Sequence, residues 1–258
     1  CALPISLDPA MEKTLSVQNS NILVTNVSSF VGKPGCRALL DGGANVLAHD
    51  RSFADADTRA TFEAEFAGAR ALAAQTPETL VAEALETCGY VDVLINNDDG
   101  EAKRAKIEDA DPADLREALE GMVVWPFVLT GAMVPSMKER KSGKIIFVTS
   151  ATPLKGLPNY AMYVTARGAT NSLTLSLAHE LARFNIQVNA LAPNFVESPA
   201  YFPKELTENP ETLAKITKNI PLGRLAKPEE VGKVLTFLAS DASDFITGMV
   251  MPYAGGWA

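Results

Sequence analysis

An α/β fold with one central parallel sheet is predicted, and two patterns in the chain predict it. Short, almost wholly apolar segments alternate with longer helical segments from end to end. Those apolar segments are near-continuous rather than alternating with polar residues, as strands buried on both faces require. A parallel sheet flanked by helices satisfies both patterns, and right-handed crossovers make it doubly wound and Rossmann-type. A chain of 258 residues can bury a full core as one such domain, and no linker, repeat or low-complexity tract divides it.

The first strand falls at residues 21–25 (NILVT), followed by a helix over 34–40 that Gly42 and Gly43 stop. Strand two is 45–49 (NVLAH). A helix around 55–66 leads to a weak strand near 69–73, and 78–88 is helical. Residues 91–96 (VDVLIN) form a strong buried strand. Asp111 and Pro112 cap a long helix that passes Leu119 and bends at Trp125-Pro126 before 128–138. A strand at 144–149 (KIIFVT), a helix at 162–184 and a strand at 186–192 (IQVNALA) follow. Residues 193–209 form a long loop, and a helix at 228–239 and a strand at 249–253 complete the fold. The domain is expected to span 21–258, with 1–20 an N-terminal extension in which Met11 is the native start. The basic run at 138–141 suits the solvated C-terminal end of a helix, where positive charge favours the helix dipole.

Composition excludes several functional classes. Lys and Arg number 23 against 31 Asp and Glu, giving a net charge of −8, so neither nucleic acid nor an anionic membrane is an expected partner. Cys1, Cys36 and Cys88 are too few and too scattered for a disulfide framework. His49 and His179 stand alone and no Cys/His cluster has ligand spacing, so no metal is expected. No apolar run approaches the roughly 18–20 residues of a membrane span. The first residues lack the basic start and apolar run of a secretory signal, so the expected location is cytoplasmic.

Open parallel sheets bind ligands beyond the carboxyl ends of their strands. Three such positions carry information. After strand one, a nucleotide-binding turn needs several glycines, so that backbone amides approach a pyrophosphate. Here Asn26 and Phe30 stand where the first two glycines of that pattern would be, and only Gly32 remains. Asp50, ending strand two, occupies the place of a ribose-binding carboxylate, but without the glycine turn it is weak evidence for a dinucleotide.

The second position is Ser150, at the end of a strand, with Tyr163 and Arg167 near the start of the long helix. Tyr163 and Arg167 stand at i and i+4, hence on one helical face. A phenol titrates near pH 10 in a model peptide, and an adjacent permanent cation favours its ionised form. Tyr163 is then a general base, Arg167 its activator, and Ser150 a donor that orients a substrate oxygen. Tyr160 is the nearby competitor, but it has Val164 at i+4 and no cation. The third position, Pro193-Asn194-Phe195-Val196, places bulk after a strand near the end of the sheet.

Ser150 and Tyr163 with a cation four residues on resemble the short-chain dehydrogenase/reductase superfamily, in which that cation is lysine. Arg167, together with Thr25, Phe30 and Gly32 in the first turn, resembles the halohydrin dehalogenases within that superfamily. The segments 147–153 (FVTSATP) and 243–248 (SDFITG) are also similar to members of that group. The likeness runs from about Asn21 to the last residue. It implies the dehydrogenase fold without nicotinamide, no other cofactor, and conversion of vicinal haloalcohols to epoxide, halide and proton. It implies a halide site at Phe30, Pro193, Asn194, Phe195 and Val196, with Tyr201 and Phe202 on the neighbouring substrate wall. It further implies reversal with azide, cyanide or nitrite, and a homotetramer. The alternatives are an NAD(P)-dependent oxidoreductase with a degenerate turn, and a catalytically silent scaffold.

Overall fold

The computed structural model describes residues 16–198 and 201–258. Seven strands run β1 (Asn21–Val24), β2 (Asn45–His49), β3 (Ala69–Leu72), β4 (Val93–Asn96), β5 (Gly143–Val148), β6 (Ile186–Pro193) and β7 (Val250–Tyr253). All pair in parallel, in the order β3-β2-β1-β4-β5-β6-β7. The chain leaves β3 at one edge and returns to β4 beside β1, so the winding reverses between β1 and β4. Loops diverge there, and a crevice opens beyond the strand ends.

Strand alternation divides the core into two layers. Ile22, Val24, Val93, Ile95, Ile146 and Val148 face one layer, with residues of α1 (Gly32–Asp41) and α10 (Pro228–Ala239). Leu23, Leu94, Ile145 and Phe147 face the other, against α3 (Pro77–Cys88) and α5 (Trp125–Arg140), with Ala178 and Leu181 at the end of α7 (Ala161–Leu181). Both faces are therefore dry, which is why these strands read as continuous apolar runs. The predicted helix 55–66 is α2 (Ala56–Glu65), which Asp55 caps by accepting from the Thr58 N–H at 2.7 Å.

The expected bend at Trp125-Pro126 takes a specific form. Helix α4 (Pro112–Leu119) passes through a π-helical turn, Glu120–Val124, before α5. Pro126 has no N–H to give the Met122 carbonyl, and Thr170 of α7 supplies its hydroxyl there instead at 2.8 Å. The bend thus ties α5 to the helix that carries Tyr163 and Arg167. This helical stretch, 112–140, corrects one sequence expectation, for it contains an 18-residue window of mean hydropathy 1.4. About 39% of that window is buried in the chain, and Leu129, Met133 and Met137 lie in the core, whereas Val124 and Phe127 are exposed. The helix has a core face and a second apolar face.

Three further differences from the sequence reading stand out. The stretch 193–209 is not wholly irregular, because α8 (Lys204–Thr207) lies within it. Helix α9 (Pro210–Thr217) follows, capped by Asn209 accepting from the Thr212 N–H at 3.1 Å. Val17 is fully buried in the core, so the fold takes up chain before residue 21. The expectation for residues 1–10 and Met11 lies outside the described residues.

Helices α1 and α10 approach so closely that only glycine fits between them. A Cβ at Gly232 would stand 2.7 Å from the Pro34 carbonyl oxygen and 2.9 Å from Ala38 Cβ. Gly232→Ala is expected to lose about 1–3 kcal/mol of stability through overpacking, read as a lower denaturation midpoint at unchanged slope. An unchanged midpoint would show that the helices separate freely.

Candidate active site

Ser150 lies just beyond β5 at the start of α6 (Thr152–Lys155) and is almost fully buried. Its Oγ accepts from the Thr152 backbone N–H at 3.1 Å and lies 3.0 Å from the Thr152 hydroxyl. Thr152 was not singled out in the sequence, yet it fixes the rotamer of Ser150.

Tyr163 and Arg167 occupy the first turns of α7, both buried. The guanidinium carbon sits 5.4 Å from the Tyr163 ring centroid. One guanidinium nitrogen, Nη1, donates to the Asp98 carbonyl at 2.8 Å and to the Val148 carbonyl at 3.1 Å. Burial opposes the arginine's charge, but the Tyr163 and Tyr201 phenols and the Asp99 carboxylate outweigh it and raise its pKa. A full positive charge therefore stands behind the Tyr163 ring. Arg167 is 1% exposed, so it meets Tyr163 and the strand-end carbonyls and not the cavity itself.

Nine of the ten sequence-predicted residues line one cavity of about 240 Å³: Phe30, Ser150, Tyr163, Pro193, Asn194, Phe195, Val196, Tyr201 and Phe202. Only Arg167 stands off the wall. Ala102, Thr152, Leu157 and Tyr160 also line it. Phe195 has a left-handed backbone (φ 58°), and its N–H donates to the side-chain oxygen of Asn194 at 3.0 Å. Trp257 packs edge-on against Phe195 within the same chain, at 5.7 Å between ring centroids.

The turn after β1 keeps a glycine-like backbone but fills it with side chains. Asn26 and Phe30 both have positive φ, 48° and 45°. A Cβ at Gly32 would come within 2.5 Å of the Val27 backbone, so this glycine serves helix–strand packing. Asn26 donates to the Asp99 carboxylate at 2.6 Å, and Ser29 donates to its other oxygen. Asp50 accepts from the Ser28 N–H at 3.1 Å and the Ser52 N–H at 3.0 Å. Burial works against the Asp50 charge, but these hydrogen bonds outweigh it and keep the carboxyl below its ordinary range.

The chain also matches known proteins along most of its length. A family model described as enoyl-(acyl carrier protein) reductase matches residues 27–258. A 3-oxoacyl-[acyl-carrier-protein] reductase of Thermotoga maritima is 35% identical over 247 residues, covering 91% of this chain and 96% of that protein. The chain belongs to the short-chain dehydrogenase/reductase family. Within it, a solved structure described as a dehalogenation enzyme is 50% identical, with a TM-score of 0.92 over 94% of this chain and 99% of that one. A halohydrin dehalogenase bound to ethyl (2S)-oxiran-2-ylacetate is 36% identical, with a TM-score of 0.89 over 92% and 96%. The protein is thus a dehydrogenase-fold enzyme closely related to the halohydrin dehalogenases.

A family member of the dehydrogenase type would hold a dinucleotide at the β1–β4 crevice, and the residues there do not fit one. The crevice is a hollow of about 370 Å³, lined by the acids Asp98, Asp99, Glu101, Asp114, Glu117 and Glu120 against Arg51 and Lys103. Lys103 is already held by Asp114 at 2.7 Å and Glu117 at 3.1 Å. A pyrophosphate would meet carboxylates where it needs amides, with Phe30 in place of the second glycine. Though larger, this hollow is lined by neither Ser150 nor Tyr163, both of which line the smaller cavity.

Asp98 and Asp99, just beyond the strand predicted at 91–96, line the crevice and were passed over by sequence reasoning. Burial pushes the Asp98 carboxyl up to about 7, against the Thr25 hydrogen bond and the Arg167 charge. An unfolded aspartate has shed its proton by about pH 5, so the folded chain holds the extra proton from there to about pH 7. Stability should fall as pH rises across that window, by at most about 1.4 kcal/mol per pH unit. Asp98→Asn is expected to flatten this slope in denaturation curves taken at several pH values. A slope unchanged by the substitution would assign it elsewhere.

Proposed function

We propose that the protein converts vicinal haloalcohols to epoxide, halide and proton without a nicotinamide or any other cofactor. The observation that carries this reading is one cavity with two unlike walls. On one side are Ser150 and Tyr163, with Arg167 behind them; on the other are Phe30 and the Pro193–Val196 turn. The acid-lined crevice and the filled glycine turn support a reaction that uses no dinucleotide.

Ser150 donates to the substrate hydroxyl oxygen, its own lone pair being engaged by the Thr152 N–H. Tyr163, the base beside the Arg167 guanidinium, takes the hydroxyl proton. The oxygen attacks the neighbouring carbon from behind, the C–O bond forms, and the C–X bond breaks with its electron pair leaving on the halide. Nucleophile and leaving group share one molecule, so the site need only hold them anti. Phe30, Pro193, Asn194, Phe195 and Val196 receive the halide. A large polarizable anion suits the positive edges of the aromatic rings, and backbone N–H groups stabilise its developing charge. The Phe195 N–H is one such donor once the Asn194 side chain yields it. Tyr201 and Phe202 form the substrate wall. In reverse, azide, cyanide or nitrite enters the halide site and opens the epoxide.

The exposed apolar residues Val124 and Phe127 on the π-turn and α5, with Leu175 on α7, support a homotetramer in which these helices meet their counterparts. The proposed setting is the cytoplasm, with Cys36 and Cys88 free thiols.

Incubation with a dichloropropanol whose hydroxyl lies between two chlorinated carbons, with no nicotinamide added, should release chloride. Tyr163→Phe should lower that rate by about 10²–10⁴-fold, the usual contribution of a positioned general base, with the circular dichroism spectrum unchanged. Wild-type turnover in this variant would refute the base assignment. Hydride transfer to NAD(P) is the competing function, since relatives are named as an oxidoreductase and a reductase; nicotinamide-dependent turnover without halide release would establish it. Phe30→Ala should weaken chloride product inhibition about tenfold or more through loss of an aromatic wall. Unchanged inhibition would place the halide elsewhere.

A further inference from the structure

Tyr201 does more than wall the cavity. The loop beyond β6 turns back on itself at Ser198, where Ser198 and Phe202 form an isolated antiparallel bridge. The Tyr201 N–H donates to Ser198 Oγ at 3.2 Å, and the Phe202 N–H to the Ser198 carbonyl at 3.0 Å. The turn sends its two adjacent aromatic side chains to different ends of the cavity. Phe202 packs against Phe195, at 5.8 Å between centroids, on the proposed halide side. Tyr201 packs edge-on against Phe30 at 5.2 Å and tilted against Tyr163 at 6.5 Å, with its hydroxyl 3.4 Å from the Gly100 carbonyl. That distance is long for a hydroxyl donor, whose bonds favour about 2.7–2.8 Å, so Gly100 alone does not satisfy this phenol.

We propose that Tyr201 is a positioning residue whose phenolic O–H donates to the Tyr163 oxygen, so that the base is held between Arg167 and a second phenol. The two rings pack at 6.5 Å between centroids on the wall of one cavity. Burial raises the Tyr201 phenol first, the charge of Tyr163 adds to this, and Arg167 opposes it. A phenol kept above its ordinary range remains a donor while its neighbour loses its proton. A hydrogen bond to a charged acceptor is about twice as strong as a neutral one, so Tyr201 stabilises the ionised base more than the neutral one. The loop that carries Phe195 and Phe202 also carries this donor. Its seating therefore completes the halide wall and the base together.

The inference rests on Tyr163 being the base of the proposed reaction, so the test has one arm that needs no turnover. Tyr201→Phe keeps the ring against Phe30 and removes only the O–H. In ultraviolet difference titration of the folded protein, the first phenol to ionise should move up by about one pH unit in this variant. The rise of kcat/KM for chloride release with pH should move by the same amount, leaving the variant about tenfold slower at neutral pH and close to wild type at high pH. A ring that only packs would leave both curves in place, and superimposable curves overturn the proposal. If the wild type releases no halide, the proposed function fails and the spectroscopic titration still decides the role of Tyr201. Should Tyr201→Phe not fold, Tyr201→Leu is put through the same titration, with the same two outcomes.

Discussion

A single buried guanidinium holds the site together. Arg167 ties α7 to the ends of β4 and β5 through the Asp98 and Val148 carbonyls. Those bonds leave the charge unneutralised by any direct ion pair among the described residues, so its field falls on Tyr163. A lysine has one compact ammonium in place of a planar fork. It could not present the same flat charge to the phenol while anchored at two strand ends. Thr170, one turn further along α7, locks the same helix to the π-turn at the Met122 carbonyl. The orientation of Tyr163 therefore depends on contacts with the strand ends and with the π-turn.

The turn after β1 shows how one backbone serves two chemistries. Asn26 and Phe30 adopt the left-handed conformation that glycine takes without strain, at an energy of roughly 1–2 kcal/mol per residue for ordinary side chains. The fold keeps that geometry because Gly32 must pass within van der Waals contact of Val27. Asn26 meets this strain with a hydrogen bond to Asp99, and Phe30 with an aromatic contact to Tyr201. The space that phosphate oxygens would need becomes an aromatic wall.

Electrostatics separates the crevice between β1 and β4 from the cavity at Ser150 and Tyr163. The larger crevice is acidic, and the smaller cavity is walled by aromatic and amide groups with Arg167 behind it. A net charge of −8 is thus compatible with a site for an anion, because buried local charges and dipoles set the field inside a cavity. Asp98 lies between the two regions, its carboxyl near neutrality and its backbone carbonyl on Arg167.

The sequence by itself determined what depends on short-range spacing. Continuous apolar runs specified strands buried on both faces, the i, i+4 relation put Arg167 beside Tyr163, and Pro126 announced the bend between α4 and α5. Helix α9 was missed, although Asn209-Pro210 is a cap followed by a first-turn proline. The roles of Phe30 and the Pro193–Val196 turn came from resemblance, and their meeting in one cavity came only from the sheet order. Asp98, Asp99 and Thr152 read as ordinary polar residues because their burial and partners come from distant strands and loops. Tyr201 was placed on the substrate wall by resemblance alone, and only the turn at Ser198 decided that its ring packs against Phe30 and Tyr163. Periodicity is a property of neighbours along the chain, whereas a site at the strand ends is built from residues more than a hundred positions apart, which only the folded sheet brings within a few ångströms.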